Sequence, residues 1–240
     1  MRSIFVGIEY AGKSTLIDLL NQYYRHRRLP THLDDHFTIP DATLGEASRA
    51  TFVNLSDDIK ERFQRMQIQY HVEVIKNYAN TMISGWHIEE AVYAKFYGDD
   101  QNHCYYPNYN YRFNRLYESQ VVEAKLPDVV LIHVTADEAT IVERMVADPH
   151  PYQIMREEDI VQLQAEFEAE IEQSLFTLQG RRVTLDTTGR SPQESLDELL
   201  LLTEPLITPG ELAIRALAVP DGDYEIKYIN GKRQLLTNRS

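Results

Sequence analysis

The segment Gly7-Ile8-Glu9-Tyr10-Ala11-Gly12-Lys13-Ser14 constrains this chain more than any other feature. It sets two glycines ahead of a lysine and a hydroxyl, and it joins an apolar run, Ile4-Phe5-Val6, to a helical pattern that opens at Lys13. A strand that turns through glycine into a helix aims consecutive backbone amides and a helix N-terminus at one point, and such a point holds phosphate. Gly7 and Gly12 allow backbone angles and close approach that a side chain would block. In that geometry Tyr10, Ala11 and Thr15 complete the wrap, Lys13 reaches the β/γ oxygens, and the Ser14 hydroxyl ligates Mg²⁺. The pattern predicts a nucleoside triphosphate site.

The remaining chain supplies a frame in which such a loop works. Apolar clusters with β-branched residues recur near Ser3–Val6, Pro30–Leu33, Asn80–Ile83, Val129–Val134 and Arg182–Leu185. The first and fourth are apolar on both faces, as parallel strands covered by helices are. Helical patterns lie between them, over Lys13 to about Tyr24, Ser56–Tyr78, Asp137–Ala147 and Arg156–Leu178. In the second, Ser56 is the expected N-cap, and Ile59, Phe63, Met66, Tyr70, Val74 and Tyr78 form one apolar stripe expected to face the core. A last helix starts at Ser191-Pro192-Gln193-Glu194, a capping box with proline in its first turn. Alternation of this kind predicts an α/β fold on a five-stranded, mostly parallel sheet. After Pro205 the texture changes, and Asn230-Gly231 between two β-like runs predicts a small hairpin. The expected division is a domain over 1–204 and an extension over 205–240.

Charge and cysteine content exclude several functions. Twenty-four basic and 37 acidic side chains give a net charge of −13, so a nucleic acid polymer would meet a repulsive average field. The densest basic stretch, Arg25-His26-Arg27-Arg28, fits a solvated helix end. A small anion is different, because one loop of amides and one lysine hold it against that field. The single cysteine, Cys104, excludes an internal disulfide. No apolar run reaches the length of a membrane span and the N-terminal residues lack a leader pattern, so a cytoplasmic location without membrane partners is expected.

The glycine loop, continued as Gly-Ile-Glu-Tyr-Ala-Gly-Lys-Ser-Thr, resembles the opening of thymidylate kinases and related nucleoside and nucleotide kinases. There Glu9 matches an acidic residue that faces the acceptor, and Tyr10 replaces a glycine. Trp86-His87-Ile88-Glu89-Glu90-Ala91-Val92-Tyr93 resembles the family segment after the third strand, where Trp86, His87 and Tyr93 would meet the acceptor. Arg144 precedes Asp148-Pro149-His150-Pro151-Tyr152, which stands where the family has its mobile lid (about 145–157), with Arg156 as a second lid arginine. Leu185-Asp186-Thr187-Thr188-Gly189 resembles the loop that packs on the donor adenine. The resemblance covers roughly Ile4 to Leu202. It implies a P-loop kinase fold of three layers, ATP with Mg²⁺ as donor, a small-molecule acceptor, and phosphoryl transfer assisted by Lys13 and Arg144.

One departure stands out. The family's Asp-Arg pair at the end of the third strand aligns with Ser84-Gly85, neither of which carries charge. Leu33-Asp34-Asp35-His36-Phe37 resembles a stretch of uridine and nicotinamide riboside kinases in which a carboxylate meets the acceptor hydroxyl. This makes Asp34 the expected base and magnesium partner, with Asp35 beside it. Phosphoryl transfer asks little base strength, since positioning and charge neutralisation do most of the work. Seven of the 15 tyrosines cluster at Tyr93, Tyr97, Tyr105, Tyr106, Tyr109, Tyr111 and Tyr117. They suit either a pocket that stacks a planar base, with Arg112 or Arg115 steadying an anion, or an ordered loop or homodimer face. A nucleotide switch is disfavoured because no Asn-Lys-x-Asp follows a later strand; a nucleotide-binding regulatory or structural protein without transfer remains the alternative.

Overall fold

The computed structural model describes residues 1–35, 45–98, 100, 115–150, 153–210, 224–229 and 232–237. Five strands, β1 (Arg2–Val6), β2 (His32–Asp35), β3 (Thr81–Ser84), β4 (Val130–Thr135) and β5 (Arg182–Asp186), form one all-parallel sheet in the order β2-β3-β1-β4-β5. Ile4, Phe5 and Val6 of β1 and Val130–Val134 of β4, His133 included, are all buried, as the apolar runs on both faces require. Because β1 lies between β3 and β4, the chain leaves β1 where neighbouring connections run in opposite directions. In open α/β sheets that is where a crevice forms at the carboxyl ends of the strands.

Helices α1 (Lys13–His26), α2 (Glu46–Val53), α3 (Asp57–Asn77), α4 (His87–Tyr97), α5 (Arg115–Glu123), α6 (Glu138–Ala147), α7 (Ile160–Glu172), α8 (Leu175–Leu178) and α9 (Pro192–Thr203) make the connections. The Ser191 hydroxyl accepts the Glu194 N–H while the Glu194 carboxylate accepts the Ser191 N–H, so the capping box is formed. The pattern expected to be one helix over Arg156–Leu178 is two. It breaks after Glu172, where Ser174 caps α8 by accepting the Phe176 N–H, an amide that a continuous helix would have used internally. A separate antiparallel pair, β6 (Tyr224–Ile229) and β7 (Lys232–Thr237), has Ile229 opposite Lys232; Asn230 and Gly231 lie outside the described residues.

Helix α3 overturns one expectation. Val74 is buried, but Ile59, Phe63, Met66, Tyr70 and Tyr78 of the apolar stripe are between 43% and 67% exposed. The buried face carries Lys60, Gln64, Ile68 and His71 instead. Fully buried Trp86 donates its indole N–H to the Ile68 carbonyl (3.3 Å), which orients this face inward. Lys60 pairs with Asp57 and His71 with Asp34, whereas both amide atoms of buried Gln64 lack a hydrogen-bond partner. Ser56 occupies the N-cap position without a side-chain cap bond.

Candidate active site

The loop between β1 and α1 takes its shape from three left-handed residues. Gly7 has φ 149°, Tyr10 φ 65° and Gly12 φ 99°. At Gly7 a Cβ would stand 2.1 Å from the Val134 carbonyl oxygen of β4, so the first glycine is required by contact as well as by angle. Gly12 occupies the N-cap of α1, and the helix N-terminus opens on a cavity of ≈ 520 Å³. Glu9, Tyr10, Gly12, Lys13, Ser14 and Thr15 form its floor, while Arg144, Ala147, Asp148, Thr187, Arg190, Pro192 and Ser195 form its opposite wall. The positive end of a helix dipole and a lysine at one mouth suit a polyphosphate. Its volume falls in the range of small-molecule sites.

Lys13 is buried. Its ammonium donates to the Gly7 carbonyl (2.6 Å) and the Ile8 carbonyl (3.2 Å), and it lies 3.1 Å from Glu89 Oε1 and 3.8 Å from Glu9 Oε1. Glu89 also accepts the Gly7 N–H at 3.1 Å. The Glu9 N–H donates to the Tyr93 hydroxyl (3.1 Å), so Tyr93 supports the loop from α4. Burial, then the nearby charges of Glu9 and Glu89, push the Tyr93 hydroxyl well above its ordinary range and keep it protonated. Ser14 is exposed at the cavity, and its hydroxyl is a hard-oxygen donor of the kind magnesium prefers.

Arg144 and Thr187 fasten the loop to the far side of the sheet. Arg144 donates to the Tyr10 carbonyl (2.8 Å), to Thr187 Oγ1 (3.1 Å) and to the Thr187 carbonyl (3.4 Å). Thr187 Oγ1 lies 2.8 Å from the Ala11 carbonyl and 3.1 Å from the Thr135 carbonyl. Thr188 instead accepts the Asp137 N–H (2.7 Å) at the start of α6, turned from the cavity towards that helix. Tyr10 reaches the segment that follows α6, where its hydroxyl accepts the His150 N–H (2.7 Å). Arg156 stands apart from the cavity wall, paired with Asp100 and 5.5 Å from the centre of the Tyr97 ring, whose hydroxyl donates to Asp159 (2.7 Å).

Three expected site residues need correction. Asp34 does not follow the strand but lies within β2, opposite Ile83, and its carboxylate is 3.4 Å from His71 Nε2 and 3.5 Å from His32 Nε2. It belongs to the sheet's packing against α3 and not to the cavity lining. Asp35 is the last residue of β2, level with Ser84, and so holds the strand-exit position. Trp86 and His87 are 0% and 1% exposed. His87 Nε2 lies 2.6 Å from the buried Glu123 carboxylate, which also accepts the Ser174 hydroxyl and the Leu175 N–H. That network locks α4, α5 and α8 together, and neither residue faces the cleft. Arg112, Tyr105, Tyr106, Tyr109 and Tyr111 lie outside the described residues, as do Pro151 and Tyr152 of the stretch expected to be a lid. Glu89 was not singled out from sequence; a carboxylate in the first turn of the helix after an uncharged Ser84-Gly85 was the available signal.

Comparison with known proteins separates fold from sequence. No known family model and no curated protein matches the chain. Among solved structures, a thymidylate kinase from Candida albicans is similar over 98% of this chain and 97% of its own, with TM-score 0.55 and 14% identity. A deoxyadenosine kinase from M. mycoides, solved with bound dATP, is similar over 84% of this chain and 98% of its own, with TM-score 0.56 and 13% identity. The fold is that of the P-loop nucleoside and nucleotide kinases. No helix among the described residues is long and apolar enough to cross a membrane.

Proposed function

We propose that this chain transfers the γ-phosphoryl group of ATP to a hydroxyl of a nucleoside or nucleoside monophosphate. The observation that carries this reading is the convergence of the α1 N-terminus, the left-handed Gly12 and the Lys13 ammonium on one cavity of ≈ 520 Å³. The kinase fold of the structural neighbours supports it, without specifying the acceptor. The acceptor oxygen attacks the γ-phosphorus, the bond to the β–γ bridging oxygen breaks, ADP leaves, and the hydroxyl proton passes to a carboxylate. Asp35 at the exit of β2 is the carboxylate favoured for that proton, and Glu9 is the one favoured for orienting an acceptor sugar hydroxyl. Lys13 leaves its carbonyl partners for the β/γ oxygens, where its charge counts most as the bond breaks. Magnesium arriving with the nucleotide supplies further charge neutralisation, and Ser14 is the residue that would hold it. Arg144 keeps the loop in register with Thr187, so its role is to preserve the shape of the donor site. On the acceptor side, Arg112 or Arg115 in the tyrosine-rich stretch would steady an anion.

A second reading, nucleotide binding without transfer, is favoured by one observation: Ser84-Gly85 puts no charge at the exit of β3. A screen of ADP release over nucleosides, nucleoside monophosphates and small alcohols separates the two. Release that depends on one acceptor class supports transfer. Saturable ATP binding with no release under any acceptor supports the second reading.

A further inference from the structure

One residue of the phosphate loop reaches across the cavity that the loop floors. Tyr10 takes φ 65°, a left-handed conformation that strains a tyrosine and that glycine would adopt freely. Such strain persists where the surroundings over-determine a residue, and Tyr10 is held at both ends. Its carbonyl accepts Arg144 Nη1 (2.8 Å) and its hydroxyl accepts the His150 N–H (2.7 Å). His150 is a firm post for that hydroxyl. The Asp148 N–H donates to the Arg144 carbonyl (3.0 Å) at the end of α6, and the His150 carbonyl accepts the Gln153 N–H (3.1 Å) just before buried Ile154 and Met155. Burial outweighs the His150 bond and holds the Tyr10 hydroxyl above its ordinary range, so it remains a neutral acceptor.

Tyr10 belongs to the floor of the cavity, and Ala147 and Asp148 to its wall. The bond to His150 therefore ties floor to wall along one edge, and its consequence for a nucleotide rests on the donor-site reading above. The backbone angle gives no reason for tyrosine at this position, since glycine would serve it better; the partner of the hydroxyl does. A loop already held to its wall does not have to be ordered by the nucleotide, and affinity gained in that way is expressed chiefly in slow dissociation. We infer that the Tyr10 side chain pre-organises the phosphate loop by holding it to the segment after α6, and so slows release of the bound nucleotide. Tyr10 is thus a positioning residue, acting through the shape of the loop and not on the reacting atoms.

The test is stopped-flow binding and release, on the full chain with Mg²⁺, of ATP carrying a methylanthraniloyl fluorophore on its ribose. Wild type, Tyr10→Phe and Tyr10→Gly are compared. Tyr10→Phe keeps the ring and the Arg144 bond to the carbonyl but removes the acceptor for His150. It is expected to speed release by about two- to tenfold, the range of one hydrogen bond, with a smaller change in the association rate. Amide hydrogen exchange at His150 should quicken in the same variant, which a general loss of packing would not single out. Tyr10→Gly suits the backbone angle but has no arm, so its release should be at least as fast as that of Tyr10→Phe; the phenylalanine form is read alone should the glycine form not fold. Release unchanged in Tyr10→Phe, or faster release with unchanged exchange at His150, overturns the inference while leaving the donor site standing. So does an equal rise in association and release, which would make the arm a barrier and not a support. Tyr10→Gly that releases as slowly as wild type overturns it too, because the angle alone would then suffice. Wild type that does not bind the nucleotide overturns the donor site itself, and the inference with it.

Discussion

Gly7 and Gly12 both sit at positive φ, yet the structure assigns them very different tolerance for a methyl group. At Gly12, where φ is 99°, the nearest atoms to a new Cβ are Arg144 Nη1 at 3.6 Å and Thr187 Cγ2 at 3.7 Å, which is ordinary contact. Gly12→Ala therefore costs only the backbone strain of a left-handed alanine, about 1–3 kcal/mol. At Gly7 the same strain is joined by a 2.1 Å approach to the Val134 carbonyl oxygen, which is main chain in a buried central strand. Neither partner can yield cheaply, since β4 is paired on both sides, to β1 and to β5. Overpacking of that kind adds about 1–3 kcal/mol more, so Gly7→Ala is expected to exceed Gly12→Ala by roughly that amount. Urea unfolding of both variants measures the difference, and ATP titration reads its effect on the loop. Gly7→Ala should lose both stability and binding, whereas Gly12→Ala should stay folded with weakened binding. Equal destabilisation by the two substitutions would refute the claim that contact with β4, and not conformation alone, fixes the loop.

Three further outcomes are expected. Asp35→Asn should lower turnover by about 10²–10⁴ with little change in ATP affinity, whereas Asp34→Asn should mainly lower stability, because it removes the partner of buried His71; comparable kinetic loss in both would restore Asp34 to the site. Arg144→Ala should raise the KM for ATP and lower kcat together, by about tenfold or more overall, since it unfastens Tyr10 from Thr187; a pure kcat effect would point to a charge on the transferred group instead. Burial, then the charge of Arg182, brings the His133 imidazole down to about 4, so the unfolded chain takes up a proton there between about pH 6.5 and 4 while the folded chain does not. Its contribution is therefore complete above pH 6.5 and falls by about 2 kcal/mol by pH 5, and urea midpoints for His133→Gln should fall less steeply with pH than those of wild type.

What the sequence made legible follows from which interactions are local. The phosphate loop, β1 and the start of α1 lie within a stretch where glycine positions, the lysine and the apolar run are all set by near neighbours. Strands β1 and β4 could be read because burial on both faces leaves an apolar run at each. Periodicity found α3 but could not say which of its faces turns inward, because that is decided by Trp86 and Asp34, supplied by other parts of the chain. The same distance hid Glu89, whose carboxylate meets Gly7 across 82 residues of sequence. His87 misled for a similar reason. A histidine beside a resembling motif reads as a ligand contact, but its partner Glu123 lies on a helix the periodicity did not reveal. The strand boundary at β2 fell two residues late, and that shift alone turned Asp34 from an exit residue into a packed one.

The most direct measurement of the central claim is a calorimetric titration of MgATP into the wild-type chain and into Lys13→Ala. The loop geometry predicts saturable binding at one site in the wild type. Loss of the lysine's charge-assisted bonds should weaken it by about 10- to 100-fold with the fold intact by circular dichroism. Equal affinity in the two proteins, or no binding to the wild type, would contradict the assignment of the Gly7–Ser14 loop as a triphosphate site.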